Sequence, residues 1–305
     1  MQLVQISAWN DSGGGFLHRL FDGHPGFRVW PFELLLGRDD FPVDRFGEDW
    51  FRGRYRWPRL GADVTEAGSD ALFERIADTE LKAVLAAPEP AKHADYRLPI
   101  RLEDWRAALA ARWAATEESS QAAFLAAYCD SFFDLLGETA AERPVLGHCP
   151  VAILDAPETW SDFPEARFIC VVRAPLPGYA DMQRRHPDLS PERYAAKWSL
   201  INAASLLWAR KAPDRVCIVT LDQLLKQREA TMRELSAWLG VAFSPVLLSP
   251  SWRGQPLRED KLGPFGGIPE LAVGRDARLA QSLAPPIRRT LEELTCAISS
   301  QLEWC

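Results

Sequence analysis

"AWNDSGGGFLHRLFDGHP" occupies Ala8 to Pro25 and joins two different periodicities. Ahead of it, Gln2 to Trp9 partly alternates apolar and polar residues and is short enough for a strand. Within it, Phe16, Leu17, Leu20 and Phe21 recur at helical spacing until Gly23 and Pro25 stop the helix. Between them, Asn10-Asp11-Ser12-Gly13-Gly14-Gly15 reads as a turn. A glycine loop between strand and helix can cradle a phosphate or sulfate, because the backbone N–H groups of Gly13, Gly14 and Gly15 run into the positive end of a helix beginning near Phe16. Glycines also let such a ligand approach the backbone closely. An ordinary strand-to-helix turn would show the same residues. No Walker A pattern is present, and the loop carries an aspartate, Asp11, where a phosphate site would be expected to carry a cation.

The sequence around the loop repeats the strand-helix alternation. Phe27 to Phe32 reads as a second strand with Glu33 at its end, Pro144 to Gly147 as a third, and Arg167 to Val172 as a continuously apolar one suited to burial on both faces. Ser190-Pro191-Glu192 starts a helix whose Tyr194, Trp198, Ile201, Ser205 and Trp208 form one face. Arg215 to Leu221 is a further strand. Thr231 to Leu239 is amphipathic and closes at Gly240, and Ile287 to Leu302 gives a last helix expected to cover the sheet. From Gly37 to about Arg143 the pattern changes to acidic, aromatic and arginine-rich stretches, then to alanine-rich helices at Trp105 to Thr116 and Gln121 to Leu136. The expectation is a single three-layer α/β domain over 1–305, with a central, mainly parallel sheet flanked by helices and a helical, acceptor-side insertion over about 37–143.

Composition narrows the function classes. The formal net charge of -7 repels nucleic acid and anionic membrane surfaces, so an anion site must be built locally. The six cysteines show neither a CxxC pair nor metal-ligand spacing, which fits reduced thiols and argues against a metal. The N-terminus lacks a signal-peptide pattern and no apolar run approaches a membrane span, so a soluble cytoplasmic protein is expected. The run "RGRYRWPR" (Arg52 to Arg59) interleaves Arg with Tyr55 and Trp57. Against the net charge it is weak evidence for nucleic acid, and it would instead hold an anionic acceptor or pair with Glu48-Asp49.

Read with what lies downstream, the opening loop resembles the 5′-phosphosulfate loop of the sulfotransferase family, in which a strand is followed by a basic residue, Ser-Gly-Thr-Thr and a helix ending in Asp-x-His-Pro. Ser12, Gly13, Leu17, Asp22, His24 and Pro25 fall on that pattern. "FPEARFICVVRAP" (Phe163 to Pro175) resembles the family's 3′-phosphate strand, with Arg173 in the place of its arginine. The helix around Trp198, "RVCIVTLDQLL" and "LSAWLGV" follow in the family's order. The resemblance covers about residues 1–35 and 145–260. It implies a P-loop-like α/β fold that transfers a sulfuryl group from 3′-phosphoadenosine 5′-phosphosulfate (PAPS), without a metal, to a hydroxyl or amine of a small-molecule, saccharide or peptide acceptor.

The resemblance also implies roles. Ser12, Gly13, Gly14, Gly15 and Phe16 would hold the 5′ end of the donor and Arg173 its 3′-phosphate. Trp252 would stack on adenine and Arg253 would add a phosphate contact. Glu33 would be the general base, as in tyrosyl-protein sulfotransferases, and His148 would stand for the lysine that stabilises the leaving group. His24 would anchor the end of its helix.

The departures from the family pattern lie at the donor. Asp11 replaces the basic residue, Gly14-Gly15 replace Thr-Thr, and Asp181 replaces the serine eight residues after the arginine. A carboxylate facing a sulfate would repel it, so Asp11 must turn away, be paired, or contact the acceptor. A helix cap or a hydrogen bond inside the loop is the structural reading for Asp11, and a helix start for Asp181. Arg184, Arg185, Arg253 and Arg258 are available as replacement cations. A non-catalytic binding or regulatory member of the fold, and a transferase using another nucleotide donor, remain alternatives.

Overall fold

The computed structural model describes residues 1–37, 53–77, 85, 98–257 and 274–302. Glu48, Asp49, Arg52 and Arg258 lie outside them.

The strand β1 (Leu3–Ser7) is buried at every position and leads through the glycine loop into helix α1 (Gly14–Phe21). Strand β2 (Arg28–Glu33) follows, then helices α2 (Ser69–Ile76), α3 (Leu102–Ala114) and α4 (Gln121–Leu135). Next come β3 (Val145–His148), β4 (Arg167–Val172), α5 (Pro175–Arg185), α6 (Pro191–Lys211) and β5 (Val216–Thr220). Helix α7 (Arg228–Leu239), the two-residue strands β6 (Ser251–Trp252) and β7 (Gln255–Pro256), α8 (Arg275–Ser282) and α9 (Pro285–Leu302) complete the chain.

The central sheet is parallel, five-stranded and ordered β2-β3-β1-β4-β5, with helices flanking it, which is the expected α/β class. The inner strands β1 and β4 are almost wholly buried, whereas the edge strand β5 has two buried and three half-buried residues. The chain forms two compact units: Met1–Val4 with Phe27–Ala166, and Gln5–Gly26 with Arg167–Cys305.

In the first unit the helices of the 37–143 region are built around an aromatic core. Trp30 lies 4.5 Å from Phe132 between ring centroids, Trp105 4.6 Å from Tyr128, and Phe73 4.8 Å from Trp105. Such tilted ring pairs add to plain area burial. Arg28, only 1% exposed, is held by Asp130 at 2.6 Å and by the carbonyls of Ala141 and Arg143, so its buried charge is paired. Arg56, Trp57 and Arg59 of the arginine-rich run find partners within this unit. Arg56 makes a two-pronged bond to Asp155 at 2.8 and 2.6 Å, the Trp57 Nε1–H donates to Asp162, and Arg59 reaches Glu158. The expected pairing with Glu48-Asp49 lies outside the described residues. The partners of Arg56, Trp57 and Arg59 come from the segment after β3, 99 to 105 residues further along the chain.

In the second unit the Ser190 side chain caps α6 by accepting from the Arg193 N–H, and Gly240 ends α7 in the left-handed conformation at φ 75°, both as the sequence suggests. Helix α9 packs along α6 and α5. Among the described residues no helix is long and apolar enough to cross a membrane.

Candidate active site

The opening loop is shaped by two residues with positive φ. Asp11 sits at φ 62° and Gly13 at φ 95°. The Ser12 N–H closes a turn on the Trp9 carbonyl, and the Leu17 N–H donates the first helical bond to the Gly13 carbonyl at 3.0 Å. The N–H groups of Gly14, Gly15 and Phe16 therefore lie at the open end of α1, ahead of any carbonyl of a preceding turn. The helix begins at Gly14, two residues before the expected Phe16, so the N–H of Phe16 joins those of Gly13, Gly14 and Gly15 at its open end. Beside Gly15 there is space, since a Cβ there would meet nothing within 4 Å, whereas a Cβ on Gly13 would fall 2.6 Å from Leu221 Cδ1. Ser12 is buried behind the loop, and the Phe16 ring lies under the Arg228 guanidinium at 5.3 Å.

The structure resolves the Asp11 question differently from the helix-cap expectation. The residue flanking α1 is Gly13, and no side chain caps the helix. The Asp11 carboxylate instead pairs with Arg185 from the last turn of α5, and its carbonyl accepts from Arg173 Nη1 at 2.8 Å. The Asp11 side chain thus reaches across to α5. Arg185, a candidate replacement cation, is committed to this contact.

Arg173, at the end of β4, is 5% exposed. Its Nε donates to Asp276 Oδ2 at 2.9 Å, its Nη2 to Asp276 Oδ1 at 2.5 Å and its Nη1 to Asp181 Oδ2 at 2.7 Å. Burial opposes its charge, but Asp276 and Asp181 more than offset this and hold its pKa above the ordinary arginine value. The Trp198 Nε1–H donates to the Arg173 carbonyl at 2.9 Å, so α6 fixes the end of the strand. Asp181 lies well inside α5 and does not start it. Its second oxygen takes Arg275 Nη2 at 2.6 Å, with Arg184 at 3.9 Å. Asp276 and Arg275 were missed by sequence reasoning, because they come from the start of α8 and no local pattern marks them.

The rest of the motif anchors the loop's helix. Asp22 accepts from the Ser251 hydroxyl at 2.5 Å and from the Gly254 N–H at 2.8 Å, which ties α1 to the β6–β7 hairpin. His24 accepts from the Gly26 N–H through Nδ1 and donates through Nε2 to the Ala242 carbonyl, the tautomer being assigned from these partners. Burial lowers its pKa, and the Ala242 bond opposes that shift. Trp252 is 9% exposed, and one ring face is covered by the Arg19 guanidinium at 4.7 Å, which leaves at most one face for an adenine. Arg253 occupies the hairpin tip at φ 50° and is exposed.

In the first unit, Glu33 and His148 are partners across the β2–β3 register at the carboxyl ends of both strands. The register jumps between Val29↔Leu146 and Glu33↔His148, and Pro31, which lacks an N–H, lies inside the irregular stretch. The irregularity is what delivers Glu33 opposite His148. Cys149, next along the chain, is buried with its Sγ on the Tyr55 carbonyl, and burial pushes its thiol far above the ordinary range, which disfavours the thiolate.

Tested against PAPS, the loop and Arg173 give different answers. The open amides of Gly14, Gly15 and Phe16, with space beside Gly15, fit the phosphosulfate end. Arg173 does not fit a 3′-phosphate, because two carboxylates and a carbonyl already take four hydrogen bonds from its guanidinium.

Residues 12–245 match the model of the Sulfotransferase family. No curated protein matches the chain. Among solved structures, the sulfotransferase domain of the olefin synthase from Synechococcus PCC 7002 is similar, with 19% identity, a TM-score of 0.55 and coverage of 98% of this chain and 94% of that one. A sulfotransferase domain from the curacin biosynthetic pathway is similar at 17% identity and a TM-score of 0.52, over 99% of this chain and 97% of that one. These likenesses concern the fold. The family match spans the glycine loop from Ser12, the strand carrying Arg173 and both members of the Glu33–His148 pair, and by it the chain belongs to the sulfotransferase family.

Proposed function

We propose that the protein transfers a sulfuryl group from a nucleotide 5′-phosphosulfate to a hydroxyl or amine, with Glu33 as general base. The observation that carries this reading is the register that sets Glu33 beside His148 at the carboxyl ends of β2 and β3, the end at which parallel α/β sheets place ligands. The amides of Gly14, Gly15 and Phe16 would hold the anionic end of the donor without a lysine, since fixed dipoles stabilise negative charge. In the transfer the acceptor oxygen or nitrogen forms the new bond to sulfur as its proton passes to Glu33. The bridging S–O bond breaks, and its electron pair stays with the nucleotide phosphate. His148, when protonated, would favour that departing negative charge.

PAPS is the donor that the family resemblance implies, and the loop supports a 5′-phosphosulfate. The acceptor would be a small molecule, a saccharide or a peptide. The test is transfer of labelled sulfate from PAPS and from adenosine 5′-phosphosulfate to 4-nitrophenol, N-acetylglucosamine and a tyrosyl peptide. Glu33→Gln should lower transfer by about 10²–10⁴-fold, the usual contribution of a positioned base. Retention of activity within about threefold in the variant would remove Glu33 from the mechanism.

A further inference from the structure

The second unit carries a charge network that no part of the proposed transfer uses. Asp11 pairs with Arg185, Asp181 with Arg173 and Arg275, and Asp276 with Arg173. Arg184 also lies 3.9 Å from Asp181, so four guanidinium groups face three carboxylates, and Arg173 itself is matched by both Asp181 and Asp276. A guanidinium has five N–H groups, and four hydrogen bonds from that of Arg173 are already made. Asp181, with 8% of its side chain exposed, is enclosed and cannot swing into water without leaving Arg173 and Arg275 behind. A 3′-phosphate brought to Arg173 would either displace both aspartates or sit against them as a like charge in a partly desolvated site. A ribose hydroxyl meets no such conflict. It can donate to a carboxylate, and Asp276, with 35% of its side chain exposed, keeps unused lone pairs toward solvent.

We propose that Asp181 and Asp276 set the donor class of this protein as a nucleoside 5′-phosphosulfate with a free 3′-hydroxyl. The proposal rests on the sulfuryl-transfer reading above. The bonds made and broken are those already given, and the spent donor is a nucleoside 5′-monophosphate instead of a 3′,5′-bisphosphate. The aspartates act by occupying Arg173 and repelling the added phosphate, and they take no part in the chemistry.

The experiment is calorimetric titration of the full chain with adenosine 5′-monophosphate and with 3′-phosphoadenosine 5′-phosphate. It is repeated with Asp276→Asn, the milder change at the more exposed position, and with Asp181→Ser. The wild type should bind the bisphosphate no more tightly than the monophosphate. Each substitution should shift the preference toward the bisphosphate by about 10-fold or more, the worth of one charge-assisted hydrogen bond gained or one repulsion lost. Tighter binding of the bisphosphate by the wild type, or an unchanged preference in Asp276→Asn, would overturn the proposal while leaving sulfuryl transfer in place. Failure of both nucleotides to bind at millimolar concentration would overturn the nucleotide-donor reading and the proposal with it.

Discussion

Gly13→Ala should destabilise the second unit by two separable effects. The backbone holds Gly13 at φ 95°, where an L side chain costs about 1–2 kcal/mol. The new Cβ would lie 2.6 Å from Leu221 Cδ1, against an ordinary contact of at least 3.4 Å, so the leucine must yield by about 0.8 Å. Leu221 is half-buried and its methyl is the far end of a flexible side chain, so an off-rotamer shift of about 0.5–1.5 kcal/mol is the right scale. The sum is about 1.5–3.5 kcal/mol. Urea unfolding of wild type, Gly13→Ala, Leu221→Ala and the double variant separates the parts. The double variant should recover about 1 kcal/mol of coupling, because truncating Leu221 relieves the contact and leaves the backbone penalty. A neutral Gly13→Ala would refute the left-handed loop. A penalty with no coupling would refute the contact with Leu221 and put the whole cost in the backbone.

Arg173→Ala should lower stability by about 2–4 kcal/mol in urea, because it strands the buried Asp181 with Arg275 as its remaining close partner; a loss below about 1 kcal/mol would contradict the network. His24 gives a pH dependence with a defined sign. Its folded pKa is depressed, so the unfolded chain binds the extra proton, and stability falls as pH drops below the ordinary value of 6.5 toward the folded pKa. His24→Asn should flatten that part of the pH profile, and an equal slope in variant and wild type would assign the dependence elsewhere. Asp11→Lys should not raise sulfuryl transfer, because it removes the partner of Arg185 and adds a like charge beside it, with a stability loss of about 1 kcal/mol or less for this partly exposed pair; a large rate gain with 4-nitrophenol would refute the role given to Asp11.

The sequence by itself determined what depends on neighbours along the chain. Apolar periodicity located β1, β4, α1 and α6 to within a few residues, since a strand or helix buries its own i+2 or i+3/i+4 neighbours whatever it later packs against. Local chemistry likewise revealed the Ser190 cap, the Gly240 stop and the glycine loop. The order of these segments was enough to point to the family. Tertiary structure decided which charges meet. Asp11 could be seen to need a partner, but Arg185 stands 174 residues away, and Asp276 reaches Arg173 across 103. The Glu33–His148 pairing depends on the β2–β3 register and its irregularity at Pro31, which no single strand contains. Ion pairs and register are set by which surfaces come together, and that information is shared between segments distant in sequence. The strand-loop-helix layout was therefore legible in the chain, while the saturation of Arg173 was decided only by the fold.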